Sequence, residues 1–153
     1  MTPPSPDIAA APPIRLQRAR GRADVGFKRR DDATVLDRLY QEGQAKIRLP
    51  KSHGGEPATA VLINTAGGIA GGDRLVYGAR FGAGTTAVVT SQAAERVYRS
   101  SATDGGLAGE VATRLEVEAG AVAEWLPQET ILFDGAALDR RLEVEMAADA
   151  RLL

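Results

Sequence analysis

Cysteine is absent from this chain, so disulfides, thiolate nucleophiles and zinc–cysteine sites are all excluded. There is one histidine, His53, which rules out a multi-histidine metal site within a single chain. Aromatic residues are only 5% of the sequence, so the core must be built from Val, Leu, Ile and Ala. Neither sign of charge dominates. At a net charge of −1, no field steers the chain toward nucleic acid or an anionic membrane, and neither is expected as a partner. No apolar run is long enough to cross a bilayer. No signal peptide is visible, because the early apolar patch at Ile8 to Ala11 is too short and lacks a basic flank. Together these absences point to a cytoplasmic location.

What is present suffices for one domain with a real core: 153 residues, 44% of them hydrophobic. Residues 1–13 read as a disordered tail. Pro3, Pro4, Pro6, Pro12 and Pro13 remove donors and fix φ, and the alanines between them give little to pack. From residue 14 to 153 the pattern is β. Ala23 to Phe27 alternates toward a charged turn at Lys28 to Asp32. Thr34-Val35-Leu36 and Ala45 to Leu49 read as short strands around a Gln41-Glu42-Gly43 turn. His53 falls in a loop rich in Gly, Ser and Pro, where a surface histidine is expected.

An internal repeat follows. Leu115-Glu116-Val117-Glu118 runs through a small-residue turn into Ala121 to Leu126. Leu142-Glu143-Val144-Glu145 does the same into Ala150 to Leu153, 27 residues later. Val76 to Thr90, turning at Gly82-Ala83-Gly84, is a looser copy. Such units cannot bury an apolar face alone, but stacked in layers they build a continuous core. The expected fold is mostly β, with stacked sheets or a solenoid-like β-helix of hairpin units and few or no helices. A β-sandwich is the alternative. Ser91 to Arg99 reads as either a short helix, with Glu95 and Arg99 paired on one face, or a bent strand. Thr130 to Phe133 reads as a strand begun after Pro127.

The densest local signal is Thr65 to Leu75, T-A-G-G-I-A-G-G-D-R-L. Gly67, Gly68, Gly71 and Gly72 form a structural glycine loop between two apolar strands, with Asp73 at its exit. A phosphate-binding P-loop would need a Lys-Ser/Thr pair where Asp73-Arg74 stands. A dinucleotide fingerprint would need G-x-G-x-x-G leading into a helix. A calcium-binding nonapeptide would recur, and this loop occurs once. A tight corner and a built site both remain open, and Arg74 could be the salt-bridge partner of Asp73. Ser91, Asp73 and His53 do not make a hydrolase triad, since no nucleophile elbow surrounds Ser91. Glu116 and Glu118 share strand spacing and face solvent. Tyr98 and Arg99 are of the types enriched at interface anchors and are candidate partner-binding residues.

Three stretches in order, Thr65 to Leu75, Thr90 to Ser100 (T-S-Q-A-A-E-R-V-Y-R-S) and Trp125 to Gly135 (W-L-P-Q-E-T-I-L-F-D-G), closely resemble the urease accessory protein family UreD, also called UreH. The resemblance covers roughly Gly21 to Leu153. It implies a mostly β, non-enzymatic metallochaperone scaffold. Its partners would be UreF, the GTPase UreG and the urease apoprotein, and its cargo would be nickel. It also implies a water-filled internal route for the ion. On that resemblance Asp73 is the first acid to place on the nickel path and Glu129 the second. With one imidazole and no thiol, a tight nickel site is not expected, and transient oxygen donors suit an ion that must be released. The sequence departs from the family pattern in length, since family members run to nearly twice this chain. Arg96 stands where Lys is usual, and the apolar-basic-proline segment reads Ile47-Arg48-Leu49-Pro50. The alternative function is a truncated β-rich interaction module that has lost nickel delivery.

Overall fold

A computed structural model of the protein describes residues 17–51, 56–100 and 106–153. The tail expected at 1–13 and His53 lie outside the described residues. Twelve strands and no helix are present among them. Ser91 to Arg99, open between helix and strand in the sequence, holds strand β7 (Glu95–Val97). The helical pairing of Glu95 with Arg99 is therefore replaced: Arg99 pairs with Asp134 at 2.5 Å instead.

Alternation sets the layers. In β5 (Arg74–Phe81), Leu75, Tyr77, Ala79 and Phe81 are buried, while Arg74 and Arg80 are exposed. In β8 (Gly109–Val117), Thr113, Leu115 and Val117 are buried, while Glu110, Ala112 and Arg114 are exposed. Successive side chains of a strand point to opposite faces, so each strand has one core face and one wet face. β5 pairs in parallel with both β8 and β1 (Arg20–Arg30), and β8 pairs in parallel with β11 (Leu138–Met146). With β2 (Ala33–Gly43) antiparallel to β1, they make the sheet β11-β8-β5-β1-β2. The facing sheet is β12-β9-β6-β4-β3, from β3 (Ala45–Arg48), β4 (Ala58–Asn64), β6 (Thr86–Ser91), β9 (Val122–Leu126) and β12 (Arg151–Leu152).

The chain thus winds as a solenoid. From β4 it crosses to β5, then back to β6, onward to β8, back to β9, and so to β11 and β12. The strand–turn–strand units read in the sequence are present and stacked. Within each, the turn carries the chain from one sheet to the other, so its two strands face each other across the core. Three such turns superpose, closed by Thr85 N–H to Gly82 O, Ala121 N–H to Glu118 O and Ala150 N–H to Ala147 O. The two L-E-V-E strings are not register partners: Leu115 lies beside Val144, 29 residues on. The two-residue offset is one side-chain period, so every residue keeps its face.

A third side completes each turn of the solenoid. β7 pairs in parallel with β10 (Thr130–Leu132). Below them Ile69, in the glycine loop, bridges to Val97: its N–H donates to Arg96 O at 2.7 Å, and Tyr98 N–H donates to Ile69 O at 2.8 Å. The glycine loop is therefore the first rung of that side. At the turn end the lumen is filled by Phe27, Phe81, Val89, Leu115 and Val117, with the two phenyl centroids 5.8 Å apart. The small buried residues Ala60, Ala87 and Ala123 let the opposite sheet approach. One end of the stack is closed by antiparallel β2 and β3, where the Gln41 side chain accepts the Ile47 N–H at 2.7 Å and blunts the β3 edge. At the other end Leu142, Val144 and Met146, the core-facing row of β11, are 40–50% exposed.

Candidate functional site

Away from the turns, the third side holds the two main sheets apart, and a cavity of about 260 Å³ opens between all three. It spans three turns of the solenoid. Leu62, Asn64 and Tyr77 line the first, Ser91, Glu95 and Thr113 the second, and Trp125, Thr130 and Arg140 the third. Among the described residues lining it, Glu95 is the only carboxylate.

Glu95 is placed by the backbone ladder. Its N–H donates to Glu129 O at 2.9 Å, and its register partner one turn along is Thr130. On a three-residue strand, alternation turns Glu95 inward and leaves Arg96 exposed. The amide Nδ2 of Asn64 donates to Glu95 Oε1 at 3.1 Å and also to Gly68 O at 3.1 Å, which ties the acid to the glycine loop. On the other side, Arg140 Nη1 donates to Thr130 Oγ1 at 2.8 Å.

Burial pushes the Glu95 carboxyl above its ordinary range. The Asn64 amide, the Arg96 backbone and the Arg140 guanidinium each draw it partly back. Burial, with the nearby Glu95 charge second, raises the Tyr77 phenol so that it stays neutral. A raised acid binds its proton better folded than unfolded. Its contribution to stability is full below the unfolded value of 4.5 and is lost as pH rises through the higher folded value. Glu95→Gln keeps an acceptor for Asn64 and removes the charge. The variant is expected to melt about 1–3 °C above the parent at pH 7. The gain should vanish below about pH 4, where Glu95 is itself neutral. A gain that persists unchanged at pH 4 would show that the carboxylate is not the cause. An acid kept where it costs stability points to a role other than folding.

The residues singled out from sequence fall elsewhere. Asp73 is 6% exposed and does not line the cavity. Its Oδ1 accepts the Ala19 N–H at 2.7 Å and its Oδ2 the Ala70 N–H at 2.8 Å, so it ties the glycine loop to the segment entering β1. Arg74 pairs with Glu110 at 3.5 Å rather than with Asp73. The side chain of Glu129 is exposed and also absent from the lining. The structure does not bring Asp73 and Glu129 together, and among the described residues no three His, Cys, Asp or Glu side chains cluster to hold a metal ion. Ser91 Oγ accepts the Gln128 N–H at 2.9 Å. Tyr98 is 40% exposed and stacks on Phe133 at 5.4 Å, with its hydroxyl donating to Gly67 O. Arg99 holds Asp134 beside it.

Sequence reasoning missed Glu95 as the acid of the lumen. The usable signal was the alternation Glu95-Arg96-Val97 under a strand reading, which puts the acid and the buried valine on one face.

No helix of the described residues is long and apolar enough to cross a membrane. The family model described as UreD urease accessory protein matches residues 19–153. Among curated relatives, the chain is 51% identical over 140 residues to a Chelativorans protein named urease accessory protein UreD, covering 92% of this chain and 49% of the relative. It is 52% identical over 139 residues to a Rhizobium etli protein of the same name, covering 91% and 49%. A Brucella ovis protein named urease accessory protein UreD 1 is 46% identical over 140 residues, covering 92% and 48%. The chain spans about half the length of the relatives it matches.

Proposed function

Because the chain belongs to the UreD urease accessory protein family, we propose that it is a non-enzymatic cytoplasmic scaffold that passes nickel toward urease. On this reading it acts with UreF and the GTPase UreG on the urease apoprotein, and nickel is its cargo. The observation that carries the reading is the lumen: a largely apolar cavity through three turns of the solenoid, with a few polar side chains and one half-buried carboxylate, Glu95, partway along it. The donor set suits a carrier. Nickel held by a single carboxylate and water is held weakly enough to leave, and Asn64 presents its NH₂ rather than its oxygen to Glu95. The reading moves the acid of the path from Asp73 and Glu129 to Glu95.

The test is the nickel content of urease matured in a host that supplies the other accessory proteins together with this chain. Glu95→Gln is expected to leave co-purification with the accessory partners intact and to lower urease nickel about tenfold. Glu129→Gln should leave it unchanged. Full nickel loading with Glu95→Gln would remove the lumen from the path. Co-purification without any nickel loading by the unaltered chain would favour the interaction-module reading.

A further inference from the structure

We propose that Asn64 is the positioning residue of the lumen acid: by occupying one oxygen of the Glu95 carboxylate, it leaves a divalent cation only the other. This rests on the reading that the lumen carries nickel. Asn64 is the last residue of β4, beside Ala45 of β3, in the first turn of the solenoid. Its amide is fully committed. Oδ1 accepts the Ala66 N–H at 3.0 Å. Nδ2 donates to Gly68 O and to Glu95 Oε1, each at 3.1 Å. The amide cannot turn over, because a flip would set its NH₂ against the Ala66 N–H and its oxygen against two acceptors. Closing the turn needs Oδ1 alone, which a serine or aspartate would also supply. The NH₂ is what reaches the acid.

Glu95 is held from its own side as well. Its N–H donates to Glu129 O, and the β7–β10 ladder begins at it. Among the described residues, Asn64 is the only side chain that hydrogen-bonds the Glu95 carboxyl, and it does so on Oε1. A group that hydrogen-bonds a ligating carboxylate fixes its orientation. Here it also fixes the number of oxygens on offer, since an oxygen engaged by a fixed amide is not free to chelate. A metal bound through one carboxylate oxygen has fewer bonds to break on leaving than one held by both. No second carboxylate of the described residues lines the cavity. How many oxygens Glu95 offers therefore sets how tightly the lumen can hold an ion, and Asn64 sets that number.

The experiment titrates the chain with nickel chloride by calorimetry at about pH 8, above the carboxylate range. A His53→Ala background removes the one imidazole, a donor nickel prefers to oxygen. Infrared difference spectra, nickel-loaded minus metal-free, read the binding mode. The two carboxylate stretches lie far apart when one oxygen binds the metal and closer together when both do. Glu95→Gln identifies the band. Asn64→Ser keeps an acceptor for the Ala66 N–H and removes both donors. It is expected to narrow the splitting and to bind Ni²⁺ about fivefold tighter than the parent. Asn64→Asp keeps the shape, removes the same donors and adds a carboxylate, so it should bind about tenfold tighter. Thermal melts check that each variant is folded at the titration temperature. If the splitting is unchanged in Asn64→Ser, with binding weaker or the same, while Glu95→Gln weakens binding, the role of Asn64 is overturned and the lumen reading stands. If Glu95→Gln leaves Ni²⁺ affinity unaltered, both fall.

Discussion

Gly68→Val should unfold the first turn of the solenoid, lowering stability by about 3–5 kcal/mol and the melting temperature by roughly 10 °C. Gly68 sits at φ 151°, a backbone conformation that a β-branched residue does not adopt without strain. Space is also lacking. A Cβ there would press into the Tyr98 ring and come within 2.9 Å of the Arg96 carbonyl oxygen. That carbonyl accepts the Ile69 N–H, so relieving the clash breaks the bond that starts the third side. Gly71 is constrained by close approach: a Cβ would lie 2.5 Å from Leu107 O and 2.7 Å from Ser100 Oγ. Gly67 is the control. It also has positive φ, yet a Cβ there meets nothing within 4 Å. Gly67→Ala should therefore cost only about 1 kcal/mol. Thermal melts of the two variants decide it, and equal losses at both positions would show that crowding at Tyr98 and Arg96 is not the constraint.

Asp73→Asn should destabilise nearly as much, by about 2–4 kcal/mol. The carboxylate accepts two backbone N–H groups, from Ala19 and Ala70, one on each oxygen. Asparagine has the same shape but only one acceptor. Its NH₂ would face an N–H, donor against donor, in a site that is 6% exposed. The Asp73 backbone adds to the knot, its N–H donating to Ala70 O and its carbonyl accepting the Glu110 N–H. At a temperature where the variant remains folded, its nickel binding should match the parent, because Asp73 does not line the lumen. Unchanged melting together with lost nickel binding would return Asp73 to the path.

These two residues show what the sequence made legible. The glycine loop, Thr90 to Ser100 and Trp125 to Gly135 stand out as separate motifs. In the structure they are successive rungs of one side, joined by Ile69 to Val97 and Glu95 to Thr130. The repeat was also readable, because strand, small-residue turn and apolar strand recur in order. It was not readable that each turn crosses between sheets. Periodicity reports which residues share a face, but not which strand lies beside them.

Asp73 stood out because an acid after two glycine pairs suggests a site. The same acid is equally suited to accept the amides that a glycine loop leaves free, and that is what it does. Glu95 was obscured for a different reason. Nine residues from Ser91 to Arg99 fit a helix or a strand, and on a helix Glu95 would have faced Arg99. Only the parallel ladder with β10 turns it inward, and that ladder is a contact across 35 residues of chain.

The central claim is that nickel travels through the lumen, and filling the lumen tests it most directly. Thr113 is 6% exposed and points into the cavity from the middle turn. Thr113→Phe would occupy space now open beside Glu95 without removing any charged group, and a 260 Å³ cavity has room for the added ring. Urease matured with this variant should contain little nickel, while the variant itself melts within about 3 °C of the parent and still co-purifies with its accessory partners. Fully nickel-loaded urease from a folded Thr113→Phe protein would show that the ion takes another way, and the account would be wrong.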